Sequence, residues 1–316
     1  YIKQIYWIGY GLVAMLIALA LDYRMFSRYA YLIYFLTLLA LAYVLVNGVI
    51  ASGARRWIHI GSISIQVSEF AKVSLIIALA KYFESGKLSN QYTLKDLIIP
   101  ALMTAALGGL IVVQPDLGTT MMILFIFLVF IAAIELEGKT LIKLFTGGLM
   151  LAPALWFFLK DYQKTRLLTL FNPELDPLGA GYHSIQSKIA IGSGGFWGKG
   201  LLAGTQSRLN FLPEKHTDFI FSVFAEETGF FGVVILLSLF LFVILKGLNI
   251  AFRAADRFGF FLSLGLVSSI TFYVIFNVGM TIGLFPITGI PLPFLSYGGS
   301  SLITHFFAVG LLLNVE

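Results

Sequence analysis

The side chains best suited to chemistry lie where a polar segment of the sequence runs straight into an apolar one. Asp218 belongs to the stretch LPEKHTDFIF at 212–221, which leads into a long hydrophobic run. We predict Thr217 as the N-cap of a helix, with Asp218 in its first turn. In one interpretation Asp218 only complements the helix dipole, worth about 0.3–1 kcal/mol. In the other it is a catalytic carboxylate.

Two further carboxylates, Glu226 and Glu227, lie within the apolar run. In one continuous helix they would be roughly 12 Å from Asp218 along the axis. Ionisable groups at such a depth in a membrane are costly unless they are paired or hydrated, and they usually line a cavity. A helix over 217–246 would be about 45 Å long, more than a bilayer core needs. Either Gly229 marks a break, or the first turns of the helix project outward. These features predict a polar recess.

A second polar cluster contains Arg56 and Trp57, followed by Glu69 and Lys72. Glu69 and Lys72 are three residues apart, so they share one helical face and can pair. This pair can be purely structural and lock helices together. Alternatively, Lys72 and Arg56 present positive charge to an anionic part of a substrate. Trp57 is either an interfacial anchor or a platform on which a sugar ring stacks.

Two shorter polar stretches interrupt the apolar sequence at 114–120 and 186–195. In the first, Asp116 is suited to cap the following helix, and a tight turn explains the rest. The second contains Gln186 and Lys188, which we count among the candidate substrate contacts, and it ends in a glycine-rich run. Backbone amides of such a run can hold an oxyanion, although the spacing is not that of a P-loop.

The last polar stretch, PITGIPLPFLSYGGSS at 286–301, precedes the final apolar segment. Its prolines and glycines predict a re-entrant turn. Irregular backbone at membrane depth is tolerated only where it is buried in protein or lines water. We therefore count Ser296 and Tyr297 among the candidate substrate contacts.

The elements that position these residues must be membrane helices. Hydrophobic residues make up 59% of the 316 positions and charged residues 12%, about half the charged share of a soluble domain. Without cysteine the chain can form neither a disulfide nor a thiolate metal site, and its four histidines show no metal-ligand spacing. The net charge of +5 is better explained by lipid head groups and topology than by nucleic acid.

Nine segments are apolar enough to span a membrane, which takes about 20 residues. They are 5–21, 29–50, 69–83, 97–113, 117–135, 141–159, 217–246, 258–283 and 297–314. One alternate set of connections holds ten Lys and Arg residues, whereas the opposite short ends and loops hold three. The positive-inside rule places the richer set in the cytoplasm, and the basic residues of a long loop count little in this rule. The long segment 160–216 and all five polar stretches then face outward. We expect 160–216 to be a partly helical extracellular loop and 1–316 to be a single transmembrane domain.

This topology places Tyr1 outside, so an inside N-terminus requires one more helix upstream. The predicted fold is therefore an all-α polytopic membrane protein, a bundle of ten transmembrane helices of which nine are visible in this chain. The first helix is expected to precede residue 1.

Six strings together resemble the SEDS family (shape, elongation, division and sporulation), and its elongation-type members most. They are GARRWI, QVSEFAK, QPDLGT, DPLGAGYHSIQSKIAIGSGG, FLPEKHTDFIFSVFAEETGF and NVGMTIGLFPITGIPLPFLSYGGSS. The likeness covers nearly the whole chain from residue 53 onward. The chain departs from the family pattern at Val67, where proline is usual, and this affects only the turn before a helix.

The resemblance implies a processive peptidoglycan glycosyltransferase that polymerises lipid II outside the bacterial cytoplasmic membrane and releases undecaprenyl diphosphate. The essential aspartate of the family falls on Asp218, its sensitive tryptophan on Trp57, and its Glu–Lys pair on Glu69 and Lys72. It further implies contacts with lipid II, the nascent glycan strand and membrane lipids, and a class B penicillin-binding protein as partner. No nucleic acid is expected.

The chemistry of such a transfer needs a base for the acceptor hydroxyl and cations for the departing diphosphate. Asp218 is the expected base, and Lys72, Arg56 and Lys188 are the expected cations. A divalent cation, Mg²⁺ or Mn²⁺, could assist the leaving group, although no motif demands one. Two alternatives stay open: a lipid II flippase or other transporter, and a membrane scaffold that would not require Asp218.

Overall fold

The computed structural model describes residues 2–51, 54–60, 63–86, 91–177, 179–208, 211–212, 214 and 216–316. Tyr1, Gly53, Pro213 and Lys215, which the sequence arguments used, lie outside these residues. The chain divides into two compact units. Unit 1 comprises 1–137, 243–272 and 297–316, and unit 2 comprises 138–242 and 273–296. The single transmembrane domain over 1–316 stays a prediction.

Unit 1 contains the first five helices, the last helix and a small sheet. Its elements are α1 (Ile2–Ala20), α2 (Tyr23–Asn47), β1 (Val49–Ala51), β2 (Ala54–Ile60), β3 (Ile63–Gln66), α3 (Val67–Glu84), a 3₁₀ turn (Leu94–Leu97), α4 (Ile98–Val113), α5 (Leu117–Ala132) and α12 (Gly299–Val315). Helix α1 packs along α12, and α2 packs along α3. The rings of Phe83, Phe130 and Phe261 lie 5.6–6.0 Å apart in its core.

Unit 2 contains the helix of the predicted span 141–159 and the helices of the long segment 160–216. They are α6 (Gly138–Phe158), α7 (Asp161–Phe171), a 3₁₀ turn (Pro173–Leu175), α8 (Ala180–Ser193) and the one-turn α9 (Thr205–Arg208). Two long helices, α10 (Ile220–Arg253) and α11 (Arg257–Thr281), each belong partly to unit 2 and partly to unit 1. The prediction that 160–216 is partly helical is therefore confirmed.

The membrane character is also confirmed. Within the described ranges, five helices are long and apolar enough to cross a membrane: Lys3–Ala20, Tyr23–Asn47, Leu94–Val113, Ile220–Arg253 and Arg257–Thr281. Helices α5 and α12 are shorter and apolar. Each of the nine predicted spans contains a helix, and many of the exposed side chains on these helices are large and apolar. Such surfaces suit lipid rather than water, which makes the chain a multi-pass membrane protein.

The prediction differs from the structure after α2, where the helix ends at Asn47 instead of continuing to residue 50. The chain there forms an antiparallel sheet in the order β1-β2-β3, with Trp57 paired to both Val49 and Gln66. Isoleucines recur along all three strands, a composition that fits a pleated surface. The apolar content of residues 48–50 was therefore misinterpreted as helical.

Helix α10 is interrupted at Gly229, which is the first of the two possibilities that the sequence left open. Gly229 has φ 67° and ψ −168°, a conformation outside the helical region. A Cβ atom at this position would lie 2.2 Å from the backbone nitrogen of Gly198. Both the positive φ and the close approach of another backbone require glycine here.

We predict that Gly229→Ala lowers the free energy of unfolding, by about 1–3 kcal/mol from backbone strain alone. Gly192→Ala is the matched control, because a Cβ atom at Gly192 on α8 meets nothing within 4 Å. The control should be neutral or slightly stabilising. Denaturant unfolding of both variants in detergent measures the difference, and equal stabilities would contradict the packing described at the break.

Candidate functional site

Asp218 lies in a hydrogen-bonded turn just before α10, which begins at Ile220. The backbone N–H groups of Thr217 and Phe219 both donate to the carbonyl of Glu214, at 3.1 and 3.3 Å. The hydroxyl of Thr217 bonds back to the side chain of Glu214 at 3.1 Å. The prediction that Thr217 caps the helix is therefore wrong, because its short polar side chain bonds to the preceding turn instead.

Asn277 of α11 holds this turn in place. Its side chain is fully buried, and its amide nitrogen donates to the backbone carbonyls of Asp218 at 2.9 Å and Ile290 at 2.7 Å. Both amide hydrogens are thus used on main-chain atoms. Asn277 therefore ties the catalytic candidate to the irregular segment 286–296 of the same unit.

Ser296 makes a second tie. Its hydroxyl donates to the carbonyl of Thr217 and accepts from the backbone N–H of Leu292, both at 2.7 Å. The segment also approaches the carboxylate closely, since a Cβ atom at Gly289 would lie 3.3 Å from Oδ2 of Asp218. Ser296 thus supports the turn, and direct contact of Ser296 with a substrate stays a prediction.

The electrostatic environment raises the proton affinity of Asp218. Burial raises the pKa of its carboxyl to about 6, and the nearby Glu214 adds to the effect. The hydrogen bond of Thr217 and the charge of Arg166 on α7 act in the opposite direction. A carboxylate with this pKa is mostly ionised at neutral pH, yet it is a stronger base than an ordinary aspartate.

Helix α8 carries two predicted substrate contacts, and it is packed by its buried face. The hydroxyl of Ser187 lies 2.7 Å from that of Ser222 and donates to the carbonyl of Thr281 at 2.7 Å. Its neighbours Gln186 and Lys188 are half-buried and exposed respectively. The buried hydroxyls of Ser187 and Ser222 therefore fix the helix that presents Gln186 and Lys188.

The side chain of Lys188 lies across a glycine at the end of α11. A Cβ atom at Gly283 would lie 2.1 Å from Cε and 2.4 Å from Nζ of Lys188. Gly283 has φ 78°. Both this positive φ and the closeness of the Lys188 side chain favour glycine at this position. The exposed ammonium group is thus held beside the carboxyl end of a helix, where positive charge is stabilised.

His183, also on α8, was not singled out as a site residue by the sequence arguments. Its ring lies 6.3 Å from that of Phe219, and its half-buried position lowers its pKa against the opposing effects of Asp176 and Glu214. His183 therefore stands beside the turn as a neutral imidazole at pH 7. Arg166 and Asn277 were missed as well. Of these, Asn277 gave a usable signal, as a polar residue inside a long apolar run.

The second set of predicted residues lies in unit 1. Lys72 and Glu69 form a buried ion pair, with Nζ and Oε2 2.7 Å apart, as predicted. Asp116 caps α5 by accepting from the N–H of Thr119 at 3.2 Å, also as predicted. The ion pair is too deeply buried for either charge to be presented on a surface of the described unit.

The strands place Arg56 and Trp57 at the start of this set. The guanidinium group of Arg56 donates to the carbonyls of Gln114 and Pro115. Gln66 is the strand partner of Trp57, and its side-chain Nε2 lies 3.4 Å from Oδ2 of Asp116. The predicted residues Arg56, Trp57, Glu69 and Lys72 thus belong to one polar region of unit 1. Tyr297 also belongs to this unit and is exposed.

The chain is similar to known proteins in family pattern, in sequence and in structure. The model for the FtsW/RodA/SpoVE family, described as a cell cycle protein, matches residues 1–316. The peptidoglycan glycosyltransferase MrdB of Escherichia coli (strain K12) is 41% identical, over 99% of this chain and 85% of MrdB. The peptidoglycan glycosyltransferase RodA of Treponema pallidum is 36% identical, over 100% of this chain and 89% of that protein.

Two solved structures share the fold. A chain from a structure described as the structural coordination of polymerization and crosslinking by a peptidoglycan synthase complex matches with a TM-score of 0.84 and 35% identity. The match covers 99% of this chain and 88% of that chain. The rod shape determining protein RodA of Thermus thermophilus matches with a TM-score of 0.71 and 31% identity, over 99% and 86%.

We predict that Asn277→Ala both destabilises the protein and changes the titration of Asp218. Loss of two buried hydrogen bonds should cost about 1–3 kcal/mol of unfolding free energy. Release of the turn should admit water and lower the pKa of Asp218 from about 6 towards that of an ordinary carboxyl. Labelling by dicyclohexylcarbodiimide, which modifies protonated carboxyl groups, measures this titration when the labelled residue is identified by mass spectrometry.

Asn314→Ala is the matched control for this measurement. The amide of Asn314, in unit 1, also makes two main-chain hydrogen bonds, to Tyr23 and Leu19. Its loss should lower stability and leave the labelling midpoint of Asp218 unchanged. Equal midpoints in the two variants would show that Asn277 does not position the carboxylate.

Proposed function

Since the chain belongs to the FtsW/RodA/SpoVE family, we propose that it is a peptidoglycan glycosyltransferase that polymerises lipid II into glycan strands during cell elongation. The names of the relatives MrdB and RodA support the activity. The observation that carries the assignment of the base is the half-buried carboxylate of Asp218, whose pKa is near 6. We place the reaction at the outer face of the bacterial cytoplasmic membrane.

Asp218 acts as the general base in this proposal. The ionised carboxylate takes the proton of the acceptor hydroxyl while the oxygen of that hydroxyl forms a bond to the anomeric carbon of the donor sugar. The bond from that carbon to the diphosphate oxygen breaks, and undecaprenyl diphosphate departs with the bonding electrons. A positioned base of this kind contributes typically about 10²–10⁴-fold to the rate.

The geometry favours different roles for the three predicted cations. Lys188 is exposed, in the same unit as Asp218, and is the best candidate for direct contact with the diphosphate. Lys72 is buried against Glu69, and Arg56 is bonded to main-chain carbonyls. We propose that these two organise the region of Trp57, where a sugar would stack, and that Gln186 and Tyr297 add polar contacts.

A divalent cation, Mg²⁺ or Mn²⁺, is part of the proposal as an aid to the leaving group. Asp218 and Glu214 interact electrostatically, so the pair supplies negative charge that suits such an ion. Among the described residues, no group of three or more His, Asp or Glu side chains is placed to hold a metal. The remaining ligands would therefore come from diphosphate oxygens and water, as is usual for Mg²⁺.

The partner proposed is a class B penicillin-binding protein that crosslinks the new strand. Support comes from the matching chain of the peptidoglycan synthase complex, in which polymerization and crosslinking are coordinated. Lipid II, the growing strand and membrane lipids are the other molecules that the protein would contact.

We predict that Asp218→Asn abolishes glycan polymerisation from labelled lipid II by the purified protein with its partner. The amide keeps the shape of the side chain but cannot accept the proton. Glu174→Gln, which neutralises an exposed carboxylate in the same unit, should leave the rate unchanged. Undiminished polymerisation by Asp218→Asn would refute the assignment, and lipid II scrambling across liposomes without polymerisation would favour a transporter.

The pH dependence follows from the same group. Because burial raises the pKa of Asp218 to about 6, the base form is scarce below that pH and predominates above it. The turnover rate should therefore rise about tenfold per pH unit below the inflection and level off above pH 7. Initial rates at saturating lipid II between pH 4.5 and 8 measure the profile. An inflection near the ordinary aspartate value would contradict the role given to burial.

A further inference from the structure

The interruption of α10 at Gly229 is filled by another part of unit 2. The break deprives carbonyl groups on its amino-terminal side of their helical partners. The carbonyls of Glu226 and Glu227 instead accept from the backbone N–H groups of Lys199 and Gly200, each at 3.0 Å. The segment 194–203, which we name the elbow, is thus joined to the helix by main-chain bonds.

The carboxyl-terminal side of the break is joined in the same way. The N–H groups of Phe230 and Phe231 donate to the carbonyls of Gly195 at 2.9 Å and Phe196 at 3.2 Å. Gly198 has φ 78°, and a Cβ atom there would lie 2.2 Å from the carbonyl oxygen of Glu227. The elbow therefore fits the break so closely that glycine is needed both at 198 in the elbow and at 229 in the helix.

The carboxylate of Glu226 binds the elbow and the residues that follow it. This side chain is 0% exposed, and its Oε1 accepts from Nζ of Lys199 at 2.8 Å. The same oxygen accepts from the backbone N–H groups of Thr205 at 2.8 Å and Gln206 at 3.1 Å. A buried charge with these charge-assisted bonds holds the elbow as one rigid piece with α10.

This rigid elbow presents large apolar side chains outward. Trp197 is 75% exposed, Leu201 80% and Leu202 70%. Lys199 is the one charged residue between 194 and 203, and it is paired with Glu226. A surface of this kind on a rigid backbone indicates contact with an apolar environment.

The apolar surface of the elbow continues onto α10. The ring of Phe196 lies 5.7 Å from that of Phe230, and the ring of Trp197 lies 5.8 Å from that of Phe231. Beyond these rings, as far as Leu245, the exposed residues of α10 are apolar except for Ser238. They are Val234, Ile235, Leu239, Leu241, Phe242 and Leu245. The elbow thus extends the surface of a candidate membrane span.

The length of α10 indicates where the elbow lies in the bilayer. The part of the helix after Gly229 is about 36 Å long, enough to cross the hydrocarbon core of about 30 Å. The break then lies near the level at which the helix leaves the core. Tryptophan and phenylalanine side chains beside leucines are typical of this interfacial level.

We propose that the elbow is an interfacial anchor that inserts Trp197, Leu201 and Leu202 into the outer leaflet. Its main-chain bonds to the break of α10 and the buried carboxylate of Glu226 set the depth of this insertion. The anchor holds unit 2, which carries the turn of Asp218, at a fixed height above the hydrocarbon core. The bilayer interface, rather than a protein partner, occupies the exposed apolar surface of the elbow, because this surface continues that of a spanning helix.

Single-cysteine variants test the anchor directly, since the chain contains no cysteine. Spin labels at Trp197→Cys and Leu202→Cys are compared in liposomes by power saturation with oxygen and with a water-soluble nickel chelate. Leu239→Cys is the lipid control on α10, and Glu174→Cys is the aqueous control in the same unit. Both control side chains are exposed. Size-exclusion chromatography and circular dichroism confirm that each variant is folded.

The expected result is that labels at 197 and 202 are several-fold more accessible to oxygen than to the nickel chelate, as at 239 and unlike 174. Accessibility to the chelate equal to that at 174 would overturn the anchor. The same applies if the labels become protected only when the crosslinking partner is added, because the surface would then be a protein interface. None of these readings depends on catalytic activity, so they stand apart from the test of Asp218.

Discussion

The two hydrogen bonds from the side-chain amide of Asn277 are the interactions on which the candidate site depends most. The amide donates both hydrogens to main-chain carbonyls, one from the residue that carries the carboxylate and one from Ile290. In a buried setting these bonds are costly to lose, because each carbonyl would remain unsatisfied. The turn that holds Asp218 is therefore held by another chain segment rather than by its own helix. This explains how an irregular loop can place the candidate carboxylate accurately.

Burial is also the reason that the carboxylate has useful chemistry. A fully hydrated aspartate is a weak base, whereas burial and the charge of Glu214 raise the pKa of Asp218 to about 6. Hydrogen bonding from Thr217 and the charge of Arg166 keep the ionised form accessible. The balance leaves a group that is ionised at neutral pH and still able to take a proton.

The broken helix α10 illustrates a different use of buried charge. Its two parts are bridged by the main chain of the elbow, and the buried carboxylate of Glu226 accepts from Lys199 and from the backbone N–H groups of Thr205 and Gln206. A carboxylate inside an apolar run of the sequence thus has a structural partner in Lys199. The sequence had offered pairing and hydration as alternatives for this residue, and the contacts show pairing.

The sequence by itself determined the class of the molecule and its main landmarks. Hydropathy is a local property, so the spanning helices and the break at Gly229 could be predicted, as could the cap by Asp116 and the ion pair of Glu69 and Lys72. Each depends on residues within a few positions of one another. The motifs around Asp218 likewise carried the resemblance to the SEDS family.

Only the tertiary structure decided which distant residues support the turn of Asp218 and the break of α10. The bonds of Asn277 to Asp218 join residues 59 positions apart, and those of Glu226 to Thr205 and Gln206 join residues about 20 apart. No periodicity or spacing rule encodes such pairs, because packing of separate segments creates them. Thr217 differs from these pairs, because its hydroxyl bonds to Glu214 only three residues earlier. It is a suitable cap by its type, but the fold starts α10 at Ile220, so the hydroxyl bonds within the preceding turn instead.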